Sequence, residues 1–318
     1  MLAVVKERPG PGFALREVPI PDPRPGWVRV RVRAAGICGT DLPIFDGTRP
    51  VRLPLIPGHE VAGQVDRVGD GATGFTVGER VAVSMVVACG HCRYCTADAP
   101  ELCDSLVELG IHTDGGFAEY MAAPARNLHR VPDGLSFEDA TAADPLACAF
   151  HGVQAARVGS DDIVAVFGTG TIALYAVQVA RLAGARQVIV VGRRAERLAA
   201  AAQAGADATV DLRTGDPIAA VRRAVPGGPS VVVEATGANE LLPLAIEAAS
   251  RAGRVLLLGI YRGQAHLAAE PIVRKELRLL GRLCYTIDEY RHCLELVATG
   301  RVRPVQSLQL ALSRMSEA

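Results

Sequence analysis

Between residues 163 and 194 the chain reads IVAVFGTGTIALYAVQVARLAGARQVIVVGRR. An apolar run of strand length ends in glycines. A stretch with helical spacing follows, TIALYAVQVARLAGA, and closes at Gly184. A second apolar run, QVIVVG, comes directly after it. Two strands joined through a helix are normally parallel neighbours, because a parallel pair needs a long crossover. The alternation continues through AERLAAAAQAGA (195–206), SVVVEATG (230–237) and RVLLLGI (254–260). Residues 150–285 are therefore expected to form a doubly wound parallel sheet with helices on both faces, a Rossmann-type domain.

Within that pattern, GTGTIA (168–173) ends the first strand and opens the first helix, and it fits G-x-G-x-x-[GA]. Gly168 permits the tight turn, and Gly170 lets the backbone approach a pyrophosphate. Ala173 keeps the helix close to its strand. Thr169, Thr171 and Ile172 complete the loop and the first helical turn, whose free N–H groups suit phosphate. The second strand usually ends in an acid that binds a ribose hydroxyl. Here Gly192 stands at that place, followed by Arg193 and Arg194. Loss of the carboxylate and gain of two guanidiniums argue for NADP over NAD. The plainer alternative is a solvated helix start.

Residues 1–145 have a different texture, rich in Pro and Gly, with short alternating runs. WVRVRVRAAGI (27–37), HEVAGQVDRVG (59–69) and GERVAVSMVV (78–87) read as strands of a β-rich domain. At 318 residues two domains are expected. Lys+Arg and Asp+Glu are both 34, which gives no reason to expect a nucleic acid or an anionic membrane as partner. No apolar stretch approaches bilayer length, and the N-terminus lacks a signal-peptide pattern. A cytoplasmic protein with reduced thiols is the expectation.

In that setting CGHCRYCTADAPELC (89–103) reads as a metal site. Cys89, Cys92, Cys95 and Cys103 follow C-x2-C-x2-C-x7-C and supply four thiolates, enough to close a tetrahedral shell around zinc. An Fe–S cluster also uses four cysteines, and the bland alternative is four unrelated thiols. A closed shell leaves no position for substrate, so a zinc here would be structural. A nucleic-acid-binding zinc module is disfavoured by the neutral charge. A second, scattered set mixes donors: Cys38 in AGICGTD, His59 and Glu60 in PGHE, and Asp144 and Cys148 in ADPLACAFHGV. Each residue alone has an ordinary core reading. Together they offer the S, N and O ligands that a catalytic zinc uses with one position open.

The ordered motifs GICGTD, PGHE, CGHCRYCTADAPELC, GGFAEY, DPLACAFHGV and GTGTIA resemble the zinc-dependent medium-chain dehydrogenase/reductase superfamily, nearest its sorbitol and threonine dehydrogenase branch. The resemblance runs from residue 1 to about 300. It implies an α/β chain with a GroES-like β-rich catalytic domain at 1–149, a structural-zinc lobe at about 88–104, and a Rossmann domain at 150–285. Residues 286–318 would return to the catalytic domain, with the active site in the cleft between the two. It further implies that Cys38 and His59 are zinc ligands and that Glu60 is a ligand or a close exchanging acid. Asp144 is preferred to Cys148 as the remaining ligand. Asp41 would orient His59, and Thr40 would take the substrate's proton. Arg197 would lie near the adenosine ribose, with Thr236 and Gly259 as further cofactor contacts.

The expected activity is hydride transfer between a secondary alcohol or ketone and NAD(P), with two zinc ions per chain and a homodimer or homotetramer as the assembly. Alternatives are threonine dehydrogenase-like oxidation, a zinc-free quinone reductase-like enzyme, whose relatives lack these ligands, and a non-enzymatic zinc- and nucleotide-binding protein. The sequence departs from the family at three places. Pro43 stands where many members carry a proton-relaying histidine. Gly192 replaces the usual acid. The chain stops at LSRMSEA, where members continue for a further helix and strand, so the expectation is either a truncated product or a numbering that ends before the natural terminus; a missing final strand would leave an unpaired sheet edge. Substrate-pocket positions are sought near Phe45, Asp46, Phe117 and Tyr285.

Overall fold

A computed structural model gives the fold over residues 1–305 and 308–317; residues 306, 307 and 318 of the expected return segment lie outside the described residues. The chain forms two compact units. The first comprises Met1–Asp144, Tyr285–Gly300 and the described residues after 305, and the second Pro145–Cys284 with Arg301–Val305. Among the described residues no helix is long and apolar enough to cross a membrane.

The first unit begins with a hairpin of β1 (Leu2–Val5) and β2 (Ala14–Glu17). Then follow β3 (Trp27–Gly36), α1 (Asp41–Asp46), β4 (Glu60–Val68), β5 (Arg80–Val83), β6 (Val86–Val87), β7 (Val107–Glu108), β8 (Tyr120–Pro124) and β9 (Leu128–Arg130). The short helix α2 (Phe137–Ala140) precedes α3 (Ala143–Ala155), along which the chain passes into the second unit. Five strands make an antiparallel sheet in the order β8-β3-β4-β5-β9, and β6 pairs with β7. The period-two pattern of β3 is realised: Val28 and Val30 are fully buried, while Arg29 reaches Asp66 at 2.6 Å.

The apolar run at 78–87 is broken into β5 and β6 by one side chain. Buried Asn127 donates from Nδ2 to the carbonyls of Ser84 (3.0 Å) and Val86 (2.7 Å). An amide inserted there replaces ladder bonds that a continuous strand would need. Lys6 is also buried, and its ammonium donates to the carbonyls of Gly10, Gly12 and Phe45. Those bonds tie the 8–13 loop to α1 and satisfy the buried charge.

In the second unit the alternation runs β10 (Ile163–Phe167), α4 (Thr171–Leu182), β11 (Gln187–Gly192), α5 (Ala195–Gln203), β12 (Ala208–Asp211), α6 (Pro217–Ala224), β13 (Val231–Glu234), α7 (Leu241–Ala248), β14 (Arg254–Leu257), α8 (Glu270–Arg274) and β15 (Arg278–Gly281). All six strands are parallel, in the order β12-β11-β10-β13-β14-β15. Val164, Val166, Val188, Val190, Val231 and Val233 have no exposed surface. Strands covered on both faces are valine-rich throughout for that reason, each such side chain contributing about 1.5–3 kcal/mol on burial. The edge strands β12 and β15 are harder to read from sequence because they lack a buried apolar run: only Val210 of ATVD is buried, and no residue of RLLG is.

The chain returns through α9 (Ile287–Ala298), which a Thr286–Glu289 capping box opens. Tyr290, Cys293, Leu294, Leu296 and Val297 of this helix are buried, and the Tyr290 hydroxyl donates to the Val83 carbonyl at 3.3 Å. The return differs from the expected unbroken 286–318 segment. Residues 301–305 belong to the second unit, because Arg303 exchanges two bonds with the Gln178 amide and Val305 donates to the Tyr175 hydroxyl.

Candidate active site and metal centres

The register of β3 against β4 sets the first cluster. Gly36 pairs with Glu60, which puts the end of β3, the Cys38 loop and His59 side by side. A Cβ on Gly36 would sit 2.0 Å from Glu60 Oε2, so the missing side chain is the space that the carboxylate fills. One donor atom from each of Cys38, His59 and Glu60 lies within 4.8 Å of the others. Asp41 accepts the Cys38 N–H at 2.9 Å through Oδ2. Its Oδ1 is 3.9 Å from His59 Nδ1, and both of these buried atoms lack a hydrogen-bond partner among the described residues. Thr40 Oγ1 lies 3.5 Å from the Cys38 sulfur.

Burial, then the neighbouring Cys38 and Asp144 charges, raises the Glu60 pKa well above the usual carboxylate range. Burial also pushes up the Cys38 thiol and the Asp41 carboxyl, and holds Asp144 at about 6. Acidic donors packed this tightly without a cation disfavour one another's charged forms. A divalent cation relieves that, and a thiolate, an imidazole and a carboxylate are zinc donors. The residues therefore fit zinc. Asp144 is not in the three-donor group: its Oδ2 accepts the buried Tyr285 hydroxyl, which in turn accepts the Met85 N–H at 3.3 Å. Cys148, also outside the group, lies further along α3 on the stretch that belongs to the second unit.

Cys89, Cys92, Cys95 and Cys103 form the other group within 4.8 Å. Backbone N–H groups point at the sulfurs: Cys89 to Cys103 Sγ (3.2 Å), Gly90 to Cys95 Sγ (3.4 Å) and Cys92 to Cys89 Sγ (3.4 Å). The backbone N–H groups of Cys95 and Asp104 lead in drawing the Cys92 thiol down to about 6. Those donors favour the Cys92 thiolate, the form that binds metal, whereas burial and the neighbouring sulfurs push the Cys95 thiol up to about 11.

In the second unit Gly168 has φ +122°, and a Cβ there would meet the Thr236 methyl at 2.9 Å. Gly170 is the N-cap of α4, makes no side-chain cap, and has nothing within 4 Å of a would-be Cβ. The loop thus offers an open, uncapped helix start to an anion, with Thr169, Thr171 and Ile172 in it. A Cβ on Gly192 would lie 2.5 Å from Thr169 Cγ2 and 3.0 Å from Leu198 Cδ2, so a side chain at that strand end would have to displace both. Arg193 pairs with Glu240 at 3.1 Å, and Arg197 reaches the Thr169 carbonyl at 3.5 Å. Arg194 is the N-cap of α5. A Cβ on Gly259 would lie 2.0 Å from the Gly237 nitrogen. Two groups escaped the sequence reading. Tyr285 appeared only as a neighbourhood, and Glu234 was passed over, though an acid at the end of the run SVVVE was a signal.

Two family models match the chain, an alcohol dehydrogenase GroES-like domain at residues 24–133 and a zinc-binding dehydrogenase domain at 171–299. A sorbitol dehydrogenase from Halalkalibacterium halodurans is 33% identical, over 95% of this chain and 90% of that one. A crystal structure of a Sinorhizobium meliloti 1021 protein described as a zinc-binding dehydrogenase, bound to NADP, is 36% identical with a TM-score of 0.90, covering 95% and 89% of the two chains. The rspB protein of Escherichia coli CFT073, in complex with NADH, is 33% identical with a TM-score of 0.89, over 96% and 89%. With a GroES-like unit, a parallel dinucleotide-binding sheet and these relatives, the chain belongs to the zinc-type medium-chain dehydrogenase/reductase family and is an NAD(P)-dependent oxidoreductase of the alcohol dehydrogenase type.

Proposed function

We propose that this enzyme moves a hydride between a secondary alcohol and its ketone, with a polyol, sugar, aminocyclitol or similar small molecule as substrate and NADP favoured over NAD. The observation that carries the reading is the trio of half-buried Cys38 and buried His59 and Glu60, with donor atoms within 4.8 Å of one another. These residues would hold one zinc, with Asp144 as a nearby further carboxylate, and the four cysteines of the lobe would hold a second. When bound, zinc supplies a Lewis acid that lowers a hydroxyl pKa, and the nicotinamide supplies the hydride acceptor. Asp41 fixes the Cys38 backbone and stands behind the His59 ring, a supporting role that orients ligands. Thr40 Oγ1 takes the substrate's hydroxyl proton. Pro43 has no group that can carry it onward, so Thr40 delivers the proton to water or to a ribose hydroxyl.

For the cofactor, the absence of a carboxylate at Gly192 and the guanidiniums of Arg193 and Arg194 support a 2′-phosphate. The Arg193–Glu240 pair is exposed on both sides (57% and 63%) and so is weak enough to exchange for that phosphate. The enzyme is proposed to work as a homodimer or homotetramer on a small molecule, with no nucleic acid or membrane partner. The test is a panel of polyols, cyclitols and L-threonine with NAD and NADP, read by nicotinamide absorbance, alongside zinc counted per chain. A secondary polyol or cyclitol turned over faster with NADP, and two zinc ions per chain, are expected. Turnover of none of them, or one zinc per chain, overturns the reading.

A further inference from the structure

Glu234 has no exposed surface and closes β13 beside Phe167, the last residue of β10. A carboxylate so deep in a sheet must find donors. Glu234 has four. Oε1 accepts from the Thr236 N–H at 2.9 Å and from the Thr236 hydroxyl, and Oε2 accepts from the Gly237 N–H at 3.1 Å and the Tyr261 hydroxyl at 2.5 Å. Three of these donors lie on the loop after β13, and the fourth comes from the loop after β14.

The two loops touch at the backbone. A Cβ on Gly237 would lie 2.5 Å from the Ile260 carbonyl oxygen, and one on Gly259 would lie 2.7 Å from Glu234 Oε2. Thr236, held by the carboxylate, abuts Gly168 of the phosphate loop. One side chain therefore joins the ends of β13 and β14 and braces the turn after β10.

The strand order reverses direction at β10, with β11 and β12 on one side and β13 to β15 on the other. In such sheets a dinucleotide lies across the carboxyl ends at that switch point. The adenosine half goes with Gly192 and Arg193 on the β11 side, so the other half runs over the loops after β13 and β14. We propose that Glu234 and Tyr261 are positioning residues for the nicotinamide half: their hydrogen bond holds loops 235–238 and 259–262 in the one arrangement on which that half docks. The inference rests on the adenosine assignment of the preceding subsection.

The test compares two ligands on the full-length enzyme by calorimetry: NADP, and 2′,5′-ADP, which carries only the adenosine half. Tyr261→Phe removes one hydroxyl and keeps the ring. A hydrogen bond to a charged group supports an expected rise of about tenfold in the NADP Kd. The 2′,5′-ADP Kd stays within about twofold of wild type. Glu234→Gln keeps one acceptor oxygen and raises the NADP Kd in the same sense. An unchanged NADP Kd in a folded Tyr261→Phe protein overturns the inference, even if its Tm falls, since a purely structural bond would act that way. Equal weakening of both ligands also overturns it. Arg193→Ala is the control and weakens both ligands; if it weakens neither, the adenosine assignment fails and the inference falls with it.

Discussion

The lobe cysteines and the Cys38–His59–Glu60 trio both gather metal-ligating side chains, yet they are assembled by opposite means. The lobe draws its four sulfurs from fifteen consecutive positions, and the loop's own N–H groups point at them. Three of its four cysteines are partly exposed. The trio comes from a loop and a strand end brought together by the β3–β4 register, with His59 and Glu60 buried. The lobe draws its sulfurs from one local stretch, and four thiolates around a zinc would leave no room for chemistry. The trio depends on the whole sheet, and its mixed donors and orphaned atoms suit a reacting centre.

The largest effect that would separate the two comes from His59→Ala. Turnover should fall by about a thousandfold or more and zinc content by one per chain, while circular dichroism and Tm stay near wild type. Full activity in a folded variant would end the assignment. Cys92→Ser should do the reverse. It should remove the other zinc and lower the Tm by about 10 °C, on a scale where 1 kcal/mol moves a large domain by roughly 2–4 °C, with residual folded enzyme keeping most of its specific activity. Wild-type Tm and zinc content would show that the lobe is no staple.

The smallest expected effect concerns the buried surroundings of the first unit. His129, held between Ser84 and the Tyr290 ring, has its pKa lowered by burial to about 4. The unfolded chain takes up that proton near pH 6.5. Stability associated with His129 is therefore complete above about pH 6.5 and is lost as pH falls toward 4, by about 3 kcal/mol at most. His129→Gln should flatten the Tm-against-pH curve over that window. An unchanged slope would discount the histidine.

Much of this was readable beforehand. The parallel sheet was legible because buried strands carry unbroken valine runs, and the turn at 168–170 because its glycines mark the passage from strand to helix. The grouping of the lobe's four sulfurs was legible because the cysteines are adjacent in sequence. The trio needed a family resemblance to be assembled, since only three-dimensional pairing brings Cys38 to Glu60. Asn127 splitting one strand, Tyr285 on Asp144 and Glu234 bridging two loops were not legible. Each is a single polar side chain whose partner lies far away or on another loop; local pattern can mark the residue, as the acid closing SVVVE does, but not its partner.

The bond from Tyr285 to Asp144 joins residues 141 positions apart within the first unit, and all of 145–284 is made between them. At roughly 5–20 residues per second, a ribosome needs on the order of ten seconds for that interval. During it Asp144 has no Tyr285, and the surface that α9 will cover with Tyr290, Cys293 and Leu294 is bare. The earlier-made unit therefore stays incomplete until residues 285–300 emerge. The nascent chain thereby carries a bared first-unit surface, open to chaperones and proteases, until residue 285 and the helix after it leave the exit tunnel.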